Sequence, residues 1–494
     1  VLRRQDDRPR HARYGGRPMG IEILVALMLG SAAAADGLVR PMGRRSLAGL
    51  WLGQLLVLGL FGLVLALAGN APVAALVATG LALALALVSN AKAAVLGEPL
   101  LFTDLVLVGA VFRHPQFYLD ALKRWQLAAL VLGAAGLALG LALTFSPALQ
   151  PHMEGLVLLG AVLALLAITL RLPRWRDLAP CPDAEADVAR HGLLPTLLLH
   201  WRRWRQSADP QPCQDGLPAP ASAALVIAVQ CESFADPADL FGAPELALPG
   251  LAAARRQSWA HGGLLVSGFG AYTMRTEYGV IFGRDEADLG FRRFDPYLTA
   301  LGEASHALPA RLARAGWTSL FIHPHDLRFY GRERILPAAG FAELVGPEAF
   351  AAPAEGRYVG DAAIADMILA RAEAAKGPCL IHAVTIENHG PWPVDQAGSH
   401  GSMSSAYLAL VRRGDAMLSR LIDGVAALRR PAVLLFYGDH RPSIPGAVMP
   451  GGDRRTPYVM LRFGSDGAIV PGPDGAVDRT PADLHRALIA AITA

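Results

Sequence analysis

Hydrophobic and polar positions divide this chain into two textures. Through residue 172 the apolar residues run in long blocks, at about 21–39, 47–69, 73–89, 125–145 and 155–172. Each block predicts a membrane helix, since ~20 apolar residues cross the ~30 Å hydrocarbon core of a bilayer. Blocks 47–69 and 125–145 hold no charged residue. The first block carries Glu22 and Asp36, and 73–89 and 155–172 are short but almost entirely Leu, Ala, Val and Gly. Such small residues suit close helix–helix contact in lipid. Residues 90–124 break the pattern, because Lys92, Glu98, Asp104 and Arg113 punctuate short apolar pieces. That predicts an interfacial or re-entrant connection rather than a sixth span.

Beyond residue 222 short apolar runs alternate with helical patterns, the signature of an α/β domain. The runs fall at 223–229, 263–266, 318–322, 379–385, 432–437 and 458–462. The expected organisation is a basic tail at 1–18, a transmembrane domain at 19–172, an interfacial linker at 173–222 and an α/β domain at 223–494. The Arg-rich tail precedes Met19 and reads either as a basic cytoplasmic arm or as sequence upstream of the natural start. With no signal-peptide cleavage site in view, the first apolar block is expected to stay as an anchor. The linker carries basic aromatic clusters, Arg174-Trp175-Arg176 and Trp201 to Arg205. Those suit either the lipid headgroup layer or a solvated amphipathic helix.

Composition narrows the class. Of 494 residues 53% are hydrophobic and only 18% charged, against about a quarter charged in soluble domains. A purely soluble or a disordered chain is excluded. The formal net charge of +3 gives no argument for nucleic acid. Cys181, Cys213, Cys231 and Cys379 lack metal-finger spacing. Cys181 and Cys213 flank one linker and read equally as a pair or as two thiols, and Cys231 as a buried core residue.

The chemistry gathers where the apolar runs end, the position at which open α/β sheets bind ligands. Run 223–229 leads into Glu232, 318–322 into His323 and His325, 379–385 into Asn388-His389, and 432–437 into Asp439-His440. Four tips bearing Asp, Glu or His point to a metal or phosphoryl site. Glycines lead to Thr273, where a helix-compatible run begins. There a hydroxyl is either a helix cap or a nucleophile at the positive end of the dipole.

The order Glu232-Ser-Phe, Gly-x-x-Thr273-x-x-x-Glu277, Phe329-Tyr-Gly-Arg332, Asn388-His-Gly-Pro391 and Gly438-Asp-His440 resembles the lipoteichoic acid synthase and phosphoglycerol transferase family. That family lies within the alkaline phosphatase and sulfatase superfamily. The resemblance extends to five spans and to Asn90-Ala-Lys, Gly97-Glu-Pro-Leu and Thr103-Asp104 before the fourth. It implies five transmembrane helices followed by a sulfatase-like α/β domain with a mixed, mostly parallel sheet. By the same resemblance Glu232, Thr273, Asp439 and His440 hold one divalent metal, Mn²⁺ foremost, with Mg²⁺ or Zn²⁺ also suited. Thr273 is then the nucleophile, Arg332, His389 and Tyr330 meet the substrate, and His323 and His325 stand behind them.

The activity so implied moves glycerol phosphate from phosphatidylglycerol to a glycan or glycolipid acceptor through a threonine-linked intermediate. Phosphoethanolamine transfer is the alternative; a sulfatase or phosphodiesterase and an inactive membrane scaffold are weaker ones. The expected location is the bacterial inner membrane, multi-pass, with the catalytic domain facing the periplasm. Charge asymmetry opposes that orientation: Arg40, Arg44, Arg45, Lys92, Arg113, Lys123, Arg124, Arg174 and Arg176 lie in loops on the catalytic side, the side the positive-inside rule calls cytoplasmic.

Overall fold

The computed structural model describes residues 20–105, 124–217, 221–352, 356–392, 401–472 and 475–494. The expectations placed on the 1–18 tail, Arg113 and Lys123 lie outside the described residues. Residues 20–87, 131–176 and 189–195 form one compact unit, and the remaining described residues another.

The first unit is built on the apolar blocks. Helices α1 (Ile21–Gly37), α2 (Leu47–Ala68), α3 (Ala71–Leu96), α4 (Arg124–Leu143) and α5 (Leu149–Arg171) coincide with the five predicted segments. Among the described residues α2, α3 and α5 are long and apolar enough to cross a membrane. Helix α2 starts on Ser46, whose hydroxyl accepts from Gly49 N, and stops at Gly69 in the left-handed conformation. Small residues do what the composition suggested: a Cβ at Gly62 would lie 3.0 Å from Leu159 N and 3.1 Å from Gly155 O, so α2 and α5 touch backbone to backbone. Large apolar side chains such as Leu67, Leu76 and Val157 point outward, as lipid-facing positions do. Asp36, unexpected in an apolar block, is paired with Arg45 Nε at 2.8 Å and accepts from Leu193 N.

The second unit is an eight-stranded sheet clothed by helices. Its strands are β1 (Leu225–Cys231), β2 (Ala260–Leu264), β3 (Thr318–Ile322), β4 (Glu343–Val345), β5 (Cys379–Val384), β6 (Ala432–Gly438), β7 (Thr456–Phe463) and β8 (Ile469–Val470), in the order β2-β7-β6-β1-β5-β3-β4 with β8 on β7. Strands β6, β1, β5, β3 and β4 run parallel, and β7 is antiparallel to β6, β2 and β8. The sheet is mixed and mostly parallel. Central strands β1, β5 and β6 are buried along their whole length, because helices cover both faces. Two apolar cores result, one per face. The sequence reading missed β4 and β8, which are edge strands of three and two residues, too short to show an alternation. Parallel pairing brings the carboxyl ends of β1, β3, β5 and β6 to one edge, and with them the four polar tips.

Of the expected interfacial or re-entrant connection at 90–124, residues 106–123 lie outside the described residues. Helix α3 runs on to Leu96, and residues 88–105 belong to the α/β unit. Lys92, Glu98 and Asp104 are nearly buried there and paired with one another. Burial forces charged groups to find partners, so these side chains are not available to headgroups. Part of the basic linker is likewise recruited to packing: Trp204 stacks on Phe102 and donates to the Thr299 carbonyl, while Trp201 remains exposed. All four cysteines are free, so Cys181 and Cys213 are not paired.

Candidate active site

Three chain segments converge at the carboxyl edge of the sheet. Strand β1 delivers Glu232 immediately after its last residue, and β6 delivers Asp439 and His440. The two strands are hydrogen-bonded neighbours, with Cys231 opposite Gly438. Gly438 is required by proximity: a Cβ there would collide with the Phe234 carbonyl oxygen. Thr273 is the first residue of helix α6 (Thr273–Phe282; α6 here follows the five helices above), entered through Gly270 and Tyr272, both at positive φ.

Glu232, Asp439 and His440 are buried, and one ligand atom from each lies within 4.8 Å of the others. His440 Nε2 is 3.4 Å from Glu232 Oε1, 3.4 Å from Asp439 Oδ2 and 3.5 Å from Thr273 Oγ1. Two donors bound at ~2.1 Å to one tetrahedral cation stand ~3.4 Å apart, so this spacing fits a shared ion. The hydrogen bonding fits as well. Asp439 Oδ1 accepts from Ser233 N and His440 N, while Oδ2 is buried with no hydrogen-bond partner. A charged oxygen left unsatisfied in a protein interior is costly unless a cation takes it. His440 Nδ1 contacts the Arg441 carbonyl at 3.1 Å, to which only an N–H can donate. Nε2 is then the ring atom that faces the cluster. Burial, and then the charge of Asp439, push the Glu232 carboxyl well above the usual carboxylate range. Two carboxylates buried together need a positive charge between them. The donor set of carboxylate oxygens, one imidazole and a hydroxyl suits Mn²⁺, Mg²⁺ or Zn²⁺.

Second contacts set these groups. Ser233 Oγ donates to Glu232 Oε1 at 3.0 Å, from a residue held at φ 50. Thr385 Oγ1 accepts from Glu232 N, and Thr276 Oγ1 donates to the Asp439 carbonyl at 2.7 Å, tying helix α6 to the turn after β6.

The residues expected to meet substrate are arranged less simply. Arg332 is 1% exposed and gives Nε and Nη2 to Glu277. Arg332, expected to meet the substrate, thus gives its two parallel hydrogen bonds to a carboxylate of the protein. Glu277 lies one helical turn after Thr273 and also accepts from Tyr297. It stood in the quoted motif without a role; its spacing of four from Thr273 was the available signal. Tyr330, half-buried at φ 60, has its ring 5.3 Å from the Arg332 guanidinium. His389 is half-buried, with Nδ1 on the Gly390 carbonyl at 2.7 Å. Burial pushes its imidazole down to about 4, with smaller effects from His440 and His325. At neutral pH His389 is therefore a hydrogen-bonding ring and not a cation. His323 is buried with Nδ1 on the Val384 carbonyl, and its ring lies 5.9 Å from that of His325. Burial, then the charge of Arg332, lower the His323 imidazole well below its ordinary value. His382 stacks on Phe321 inside the core, and His261, on β2, contacts Ser258.

The arrangement can hold a divalent cation, present a hydroxyl at a helix N-terminus and surround both with hydrogen-bonding side chains. Residues 224–481 match the family model described as Sulfatase. The capsular polysaccharide biosynthesis protein RkpI of Rhizobium meliloti (strain 1021) is 31% identical over 422 residues, covering 80% of this chain and 78% of that protein. Among solved structures, the lipooligosaccharide phosphoethanolamine transferase A (EptA) of Neisseria meningitidis is similar across 96% of this chain and 95% of its own, with a TM-score of 0.55 and 11% identity. The phosphoglycerol transferase GacH of Streptococcus pyogenes is similar over 56% of this chain and 76% of its own, with a TM-score of 0.42 and 16% identity.

Proposed function

This chain belongs to the sulfatase family, and from that premise we propose that it is a membrane-bound phosphoglycerol transferase. It would move glycerol phosphate from phosphatidylglycerol to a glycan or glycolipid acceptor. The observation that carries the reading is Thr273 Oγ1 beside His440 Nε2, at the edge of a buried cluster whose Asp439 Oδ2 has no hydrogen-bond partner.

In this reading Glu232, Asp439, His440 and Thr273 hold the cation, which supplies Lewis-acid stabilisation of charge when bound. Thr273, on the first turn of its helix, lies where the dipole favours developing alkoxide and bound phosphate. Its oxygen attacks the donor phosphorus, the bond to diacylglycerol breaks, and a phosphoglycerol-threonine ester forms. An acceptor hydroxyl then attacks the same phosphorus and releases Thr273. Neutral His389 and Tyr330 line the approach, and Arg332 acts through Glu277 to hold the nucleophile helix. The apolar helices keep the enzyme where a lipid donor is concentrated. A glycan acceptor is supported by the capsular polysaccharide role in the name of the R. meliloti relative.

The test supplies full-length protein with labelled phosphatidylglycerol and Mn²⁺ and follows diacylglycerol release and label on the protein. We expect both, and Thr273→Ala removes both. Release that survives Thr273→Ala overturns the nucleophile. Release from phosphatidylethanolamine but not phosphatidylglycerol replaces the donor and makes the chain a phosphoethanolamine transferase.

A further inference from the structure

Two residues after Thr273, Arg275 is buried among groups from a distant part of the chain. Its Nη1 and Nη2 donate to Glu98 Oε2 and Oε1, each at 3.0 Å, and its Nε to the Phe294 carbonyl at 3.0 Å. Its guanidinium lies 3.8 Å from the centroid of the Tyr272 ring, and Lys92 Nζ lies 5.4 Å from the same centroid. Lys92 is 3.3 Å from Glu98 and 2.5 Å from Asp104, so two cations and two carboxylates form a closed, neutral network. Its charge is internally spent, and what remains is geometry. That geometry converges on Tyr272, a non-glycine residue held at φ 74 immediately before the nucleophile. Such a backbone persists only where the surroundings over-determine it. The same segment also grips the turn beyond His440: Ser443 Oγ donates to the Val95 carbonyl at 2.7 Å, and Arg454 Nη2 to that of Gly97 at 3.4 Å.

We propose that Glu98 is a positioning residue for Thr273: by pairing with Arg275 it holds the left-handed turn at Tyr272 that aims the threonine hydroxyl at His440. This rests on the reading of Thr273 as the nucleophile. Among the described residues Glu98 pairs with Arg275 and Lys92 and not with Glu232, Asp439 or His440, so its loss misdirects the hydroxyl and leaves the metal ligands in place.

The test uses the full-length protein in detergent, with phosphatidylglycerol and Mn²⁺. Glu98→Gln is expected to lower kcat at least about tenfold while KM and Mn²⁺ affinity stay within about threefold. Glu98→Gln combined with Arg275→Gln is expected to be no slower than Arg275→Gln alone, since each removes the same interaction. A kcat for Glu98→Gln within about twofold of the parent overturns the proposal. So do multiplying effects in the double variant, or parallel losses of kcat and Mn²⁺ affinity. A second readout does not depend on turnover: 3-fluorotyrosine placed at position 272 should change its ¹⁹F resonance in Glu98→Gln, and an unchanged resonance overturns the proposal. If the parent releases no diacylglycerol, the functional reading fails, and the ¹⁹F arm still decides the positioning.

Discussion

Arg332 and Glu277 form a bidentate ion pair sealed from solvent, with Nε 3.0 Å from Oε1 and Nη2 2.6 Å from Oε2. The pair joins the helix that begins at Thr273 to the segment after β3, so that helix is anchored by charge as well as by packing.

Glu277→Ala should therefore destabilise the α/β unit severely. It leaves a buried guanidinium without its counter-ion, a loss of about 3–5 kcal/mol. Denaturant unfolding of the full chain, followed by tryptophan fluorescence, measures it. A loss below about 1 kcal/mol would show that the pair has the small weight of a surface bridge.

Metal binding should depend on the oxygen that has no hydrogen-bond partner. Asp439→Asn exchanges it for a poorer ligand and is expected to weaken Mn²⁺ binding at least about 100-fold. Ser233→Ala, which removes the hydroxyl bonded to Glu232 Oε1, should cost about tenfold, in the range of outer contacts to metal ligands. The electron paramagnetic resonance signal of free Mn²⁺ reports both. A chelator should abolish turnover, and added Mn²⁺ should restore it.

Acid should weaken the fold through two histidines away from the site. Burial holds His382 and His485 at about 4, against an ordinary 6.5. The unfolded chain takes up protons below 6.5 that the folded chain refuses until about 4. Stability from these groups is thus complete above pH 6.5 and is lost as pH falls toward 4. His382→Leu should flatten that part of the profile, because its ring is already stacked on Phe321 and its Nε2 has no hydrogen-bond partner. Midpoints of thermal unfolding at stepped pH values measure the slope. An unchanged slope would remove His382 from the account.

Orientation can be tested against the charge count. Arg45 and Lys92, both counted on the catalytic side, are partnered by Asp36 and by Glu98 and Asp104. A reporter fused after Ala494 should read as periplasmic, and a cytoplasmic reading would reverse the orientation.

Much of this molecule was legible one residue at a time. The apolar blocks located the five helices, and the strand-length runs located six of the eight strands, because burial of a helix or a central strand writes a local, periodic signature. The polar tips after those runs pointed to Glu232, Asp439 and His440, since parallel pairing must bring carboxyl ends to one edge. Partnerships of charge left no such trace. Arg332 meets Glu277 across 55 positions of sequence, and Arg275 meets Glu98 across 177. A buried charge takes whichever opposite charge the folded chain puts beside it, and no spacing in the sequence encodes that choice. The sequence by itself determined the apolar helices, the α/β domain and the residue types at its edge. Only the tertiary structure decided that Arg332 is bound to a carboxylate and that the 88–105 segment reaches Arg275 beside the Tyr272 turn, because both depend on which groups desolvation forces together.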